Sequence, residues 1–180
     1  MLLEADRSQL LLVDEQEKLM AAMHRAEETA ANSLRLLTAA RRLQVPITAS
    51  EQYPRGLGPT VAAVAAALPN DARLAKLHFA VTSDGPLMAR LAGFGRPQVV
   101  LVGVEAHVCV LQTAIALKQR SYQPAVVWDA VTSRTAEAKE LARDRLLANG
   151  VEVVNAEMVL FEWLGAAGTP EFKDLSPLVR

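Results

Sequence analysis

A three-layer α/β/α fold, with helices on both faces of an open sheet of about six mainly parallel strands, is predicted by three features of the chain. Short β-rich apolar runs alternate with longer helical patterns from end to end, the arrangement of a parallel sheet with crossover helices. One run, Gln98 to Val104, is almost wholly apolar, as a strand covered on both faces must be. The chain has 180 residues, 51% of them hydrophobic, enough to bury roughly 70% of the unfolded surface around one core. The expectation is a Rossmann-like single domain over 1–180, with 164–180 as a C-terminal tail.

The first strand is read at Gln9 to Asp14. In the helical stretch after it, Leu36, Leu37, Ala40 and Leu43 share a face, and Pro46 marks its exit. A short strand follows at Ile47 to Glu51. The segment EQYPRGLGPT, 51–60, carries two prolines and two glycines and reads as an ordered loop leading to an Ala-rich helix. Arg73 to Phe79 reads as the third strand, and Ser83 is expected to cap the helix holding Leu87 and Leu91. After the strand at Gln98 to Val104, Val108, Leu111, Ile115 and Ala116 recur at helical spacing. A fifth strand is read at Pro124 to Asp129. A helix over Thr135 to Asn149 should turn Ala138, Leu141, Ala142 and Leu146 inward and end at Gly150. Val151 to Asn155 is the sixth strand, and a last helix near Ala156 to Leu164 leads into a tail expected to hang loosely or to pack on another subunit.

Lys plus Arg (19) and Asp plus Glu (20) nearly cancel to a net charge of −1, so the chain lacks the field that gathers nucleic acid or anionic membrane. No run reaches the roughly 18 apolar residues of a membrane span, and acidic residues flank the first apolar run, unlike a signal peptide. One cysteine excludes an intrachain disulfide and suits a reducing compartment. A soluble cytoplasmic protein acting on a small molecule, and forming a homo-oligomer, is therefore expected.

In an open parallel sheet, ligands sit beyond the carboxyl ends of the strands. Three reactive side chains fall there: Asp14 closing the first strand, Lys76 in or near the end of the third, and Cys109 opening the helix after the fourth. A thiol in the first turn of a helix faces unpaired amides and the positive end of the dipole, which should depress its pKa. A buried core cysteine is the alternative, since free cysteine is among the most buried residue types. Gln16 should project on the side of Asp14 if the strand continues, with Tyr53 and Phe79 as apolar walls. His24, His78 and His107 are the only histidines, none spaced with a second ligand as zinc needs, so no metal is expected. No GxGxxG follows the first strand, so no dinucleotide cofactor is expected either.

The strings LLLVDEQ at 10–16, LAKLHF at 74–79 and GVEAHVCVLQTA at 103–114 resemble the isochorismatase-like cysteine hydrolase family, which includes nicotinamidases and N-carbamoylsarcosine amidases. EQYPRGLGPT together with GVEAHVC is similar to its isochorismatase domain-containing subgroup. The resemblance implies a triad in which Cys109 is the nucleophile, Asp14 takes its proton, and Lys76 holds the two charges in place. It implies a cis peptide between Val104 and Glu105, and an oxyanion hole of the Glu105 and Cys109 amides. His107 is expected to orient this loop or touch substrate.

Departures from the family pattern narrow the reading. Nicotinamidases hold a metal with an Asp-x-His pair and a further His, whereas ASEQYPRG at 49–56 contains no histidine. Ala106 stands where related strings usually carry Thr. True isochorismatases lack the nucleophilic cysteine, so Cys109 argues for an amide or related carbonyl substrate. The expected activity is thus metal-independent hydrolysis through a Cys-bound intermediate. The competing expectations are a catalytically idle family member acting in assembly or protein binding, and a redox-sensing thiol.

Overall fold

The computed structural model describes residues 1–179. Its elements follow the chain as β1 (Ser8–Val13), α1 (Glu17–Met20), α2 (Ala26–Arg42), β2 (Ile47–Gln52), α3 (Pro54–Leu57), α4 (Ala62–Ala67), β3 (Arg73–Lys76) and α5 (Gly85–Gly93). Then come β4 (Gln98–Val104), a wide turn of π type over Ala106–Val110, α6 (Leu111–Gln119), β5 (Gln123–Thr132), α7 (Ala136–Ala148), β6 (Glu152–Val154), α8 (Ala156–Leu164) and α9 (Pro170–Leu175). The six strands form one sheet in the order β3-β2-β1-β4-β5-β6, and every pairing is parallel.

The apolar runs explain the layering. Side chains alternate across a strand, so Leu10 and Leu12 of β1 join Leu36, Leu37, Val159 and Trp163 on one face. Leu11 and Val13 join Leu87, Leu91, Leu117 and Leu146 on the other. β1 and β4 are buried along their whole length, and each fully buried Leu or Val contributes about 1.5–3 kcal/mol. The chain leaves the centre in opposite directions after β1 and β4, which opens a crevice at their carboxyl ends.

Two backbone features shape that crevice. Gly103 has φ +109°, and a Cβ there would lie 2.1 Å from the Val13 carbonyl oxygen, so only glycine lets the central strands approach. Asp14 takes φ +52° and turns the chain out of β1, with its amide bonded to the Ser50 carbonyl. β5 carries extra residues where Leu101 pairs with Val126 but Gly103 pairs with Val131. In that bulge the Asp129 carbonyl accepts from Asn32 Nδ2 at 2.7 Å, and its carboxylate accepts from the Ala156 amide at 2.9 Å, tying β5 to α2 and α8.

Several expectations need correction. β3 ends at Lys76, leaving Phe79 in the following loop. Ser83 sits in a 3-10 turn, and Asp84 precedes α5 without a side-chain cap. The buried stripe of α6 is Leu111, Thr113, Ala114 and Leu117, with Ile115 and Ala116 only half-buried. Leu141 faces outward on α7, whose buried side is formed by Ala142 and Leu146. The tail is not loose: α9 is capped by Thr169, buries Leu175 and pairs Glu171 and Asp174 with Arg42 of α2. Among the described residues, no helix is long and apolar enough to cross a membrane.

Candidate active site

The carboxyl ends of β1, β2 and β3 bring four polar side chains together under cover. Asp14 Oδ1 accepts from Ser50 Oγ at 2.6 Å, and Oδ2 accepts from Lys76 Nζ at 2.7 Å. Lys76, the last residue of β3, also donates to Gln52 Oε1 at 2.6 Å and lies 3.6 Å from Cys109 Sγ. The Asp14 and Lys76 side chains are fully buried. A buried carboxylate is tolerable here because a cation and a hydroxyl saturate it. Sequence reasoning missed Ser50 and Gln52. The signal lay in Thr48, Ser50 and Gln52, three polar residues at strand period along β2.

Cys109 sits inside the wide turn after β4, 6% exposed, rather than ahead of a fan of free amides. The expected depression of its pKa is therefore overturned. Burial pushes the thiol up to about 12, the Asp14 carboxylate pushes in the same direction, and Lys76 only partly opposes them. At neutral pH the sulfur carries its proton beside the Lys76–Asp14 pair.

The turn has a defined frame. The Val104–Glu105 peptide is cis. The Glu105 carbonyl accepts from the Val108 and Val110 amides, skipping the Cys109 amide between them. The Glu105 carboxylate is held by both arms of Arg134, at 2.8 and 2.9 Å. His107 Nδ1 lies 2.9 Å from Ser133 Oγ, so its ring is fixed to the end of β5. Nothing in the sequence marked Arg134 as part of this frame.

Of the side chains expected to meet substrate, the structure separates the rim from the scaffold. Tyr53 lines a cleft of about 350 Å³ together with Pro54, Arg55, Lys76, Leu77 and Asp84. Phe79 is 53% exposed and is not among its walls. Gln16 does not face outward. The strand stops at Val13, and the fully buried Gln16 amide accepts from the Gln52 amide while donating to the Gln52 and Gly58 carbonyls, clamping the 53–60 loop onto β2. Among the described residues, no three His, Cys, Asp or Glu side chains are grouped to hold a metal ion.

Comparison with known proteins bears on the family and the fold. The family profile described as the isochorismatase domain matches residues 8–158, which include Asp14, Lys76 and Cys109. Isochorismatase domain-containing protein 2 of Danio rerio is 36% identical over 96% of this chain and 86% of its own. The structure of Mar1 ribonuclease from Caenorhabditis elegans superposes with a TM-score of 0.92 at 32% identity, covering 99% of this chain and 92% of that one. The Escherichia coli YcaC gene product, described as an octameric hydrolase of unknown specificity, has the same fold, with a TM-score of 0.92 at 21% identity over 99% of this chain and 90% of its own. By profile, sequence and fold together, the chain belongs to the isochorismatase-like hydrolase family.

Proposed function

We propose that the chain, as a single domain over 1–180, is a metal-independent cysteine hydrolase of small amides or related carbonyl compounds. The observation that carries this reading is the position of Lys76 Nζ, 2.7 Å from Asp14 Oδ2 and 3.6 Å from Cys109 Sγ. Three groups from three separate segments converge at the one rim where this fold binds ligands. Independence from metal rests on the 49–56 segment, which offers no histidine.

In the proposed reaction Asp14 takes the Cys109 proton as sulfur bonds to the substrate carbonyl carbon, and the carbonyl π pair moves to oxygen. The Glu105 and Cys109 amides hold that oxyanion, each worth about 3 kcal/mol in such sites. As the pair returns, the C–N bond breaks and the amine leaves with the proton from Asp14. Asp14 then deprotonates a water that cleaves the thioester, restoring the thiol. Lys76 stays protonated throughout, so charge moves between sulfur, carboxylate and oxyanion beside a fixed cation. The protonated resting thiol supports this sequence, since proton and base are both in place before substrate arrives.

Tyr53 and the cleft it lines support a small-molecule partner entering beside Lys76. His107 is assigned to orienting the turn, and Phe79 to the outer rim. A homo-oligomer in the cytoplasm is the setting proposed. Tyr53 and Leu77 are exposed where they line the cleft, Phe79 is exposed two residues on, and the octameric state of the Escherichia coli protein fits a covered rim. A ribonuclease activity like that named for the nematode relative draws less support, because the charge balance of −1 provides no field for a polyanion. The idle, assembly-only reading draws on the same exposed rim and on the shielded sulfur.

Intact mass spectrometry after incubation with a library of small amides and carbonyl compounds tests the proposal. A mass increase on Cys109, absent in Cys109→Ala, is the expected result. A library without any Cys109 adduct or turnover favours the idle reading.

A further inference from the structure

We propose that Arg134 is a positioning residue, acting through Glu105 on the turn that carries the oxyanion-hole amides. The inference rests on the hydrolase reading above and extends it to a residue outside the Asp14, Lys76 and Cys109 cluster. Glu105 is 6% exposed, and its two carboxylate oxygens receive the Nε and Nη2 donors of one guanidinium. A bidentate fork fixes direction as well as distance, which a single point charge does not. The Glu105 carbonyl meanwhile accepts from both Val108 and Val110, so Glu105 ties the turn from 105 to 110 together and is its pivot.

The end of β5 holds the same turn at further points. Val104 pairs with Thr132, and Ser133 Oγ meets His107 Nδ1 at 2.9 Å. Behind it, the Ser133 carbonyl accepts from the His24 amide, and Thr132 Oγ1 bonds the His24 carbonyl. Arg134 thus completes a clamp between a braced strand end and the pivot of the turn. Its own side chain is 64% exposed, where an ion pair adds little to folding. Losing it should therefore alter the aim of the Glu105 and Cys109 amides more than the stability of the fold. Small misplacement of oxyanion donors is costly in rate because their value depends on pre-set geometry.

Two thiol probes separate aim from access. Acrylamide adds to Cys109 by forming an S–C bond at its terminal carbon. The alkene π pair shifts onto the carbonyl oxygen as an enolate, Asp14 passes the thiol proton to the α-carbon, and nothing leaves. Methyl methanethiosulfonate instead transfers its methylthio group to sulfur and expels methanesulfinate, with Asp14 taking the thiol proton and no charge placed on a carbonyl oxygen. Arg134→Ala should lower the acrylamide rate roughly ten-fold and leave the methanethiosulfonate rate within about two-fold, with Arg134→Lys intermediate. An unchanged acrylamide rate, or a parallel fall in both rates, would overturn the proposal. If Arg134→Ala does not fold, Arg134→Lys carries the same comparison. Wild-type protein that reacts with acrylamide no faster than free cysteine would instead refute the hydrolase reading, and the positioning role with it.

Discussion

Asp14 and Glu15 are adjacent in sequence and equally buried, yet they lie in regions that treat a carboxyl group in opposite ways. Asp14 faces the crevice, where Ser50 and Lys76 satisfy both oxygens. Glu15 turns toward α2, where Ser33 meets Oε1, and Oε2 has no partner. Burial pushes the Glu15 carboxyl up to about 8, with the Ser33 hydrogen bond opposing only weakly. Partners rather than depth decide whether a buried acid stays charged. One residue of chain separates a carboxyl group with both oxygens satisfied from one that keeps its proton.

The largest effect is expected from removing the partner on the crevice side. Lys76→Met leaves the Asp14 carboxylate buried with only Ser50, and should cost about 3–5 kcal/mol in urea unfolding as well as Cys109 chemistry. If the variant unfolds like wild type, the ion pair is not what makes this region tolerable. On the other side, Glu15 keeps its proton when folded and loses it near 4.5 when unfolded. Its contribution is fully present below that pH and is lost as pH rises through about 8. Each pH unit inside the window removes up to about 1.4 kcal/mol. Glu15→Gln, which cannot ionise, should flatten that slope in thermal melts taken between pH 5 and 8, a range set by the shift itself. A slope that persists in the variant would place the titrating group elsewhere. The smallest effect belongs to Ser33→Ala, about 1–2 kcal/mol from the lost partner of Oε1. It should also move the Glu15 window to higher pH, since the Ser33 hydroxyl favours the charged form.

The contrast also shows what a sequence reveals. Short apolar runs alternating with helical patterns carried the sheet, because Leu10 to Val13 and Gln98 to Val104 are buried on both faces. Asp14, Lys76 and Cys109 were legible because strand ends in a parallel sheet converge at one rim. The direction of the Cys109 pKa was not legible. It depends on how deeply the wide turn draws sulfur in and on the Asp14 charge beside it, and both are tertiary facts. Gln16 was misjudged because β1 ends at Val13 and the left-handed Asp14 reverses the expected alternation. Arg134 reaches Glu105 from a neighbouring strand end, across a distance in sequence that no local pattern encodes. The tail was misread for a similar reason, since its anchor is Arg42, far upstream.

The central claim is that Asp14 is the base for a resting Cys109 that still holds its proton. Its most direct test is the pH dependence of acrylamide addition in wild-type protein and in Asp14→Asn. With the carboxylate serving as base, the wild-type rate should stay level across the neutral range, well below the thiol pKa of about 12. Without it, only free thiolate reacts, and the rate of Asp14→Asn should climb about ten-fold per pH unit until its own thiol titrates. Matching slopes in the two proteins would contradict the account.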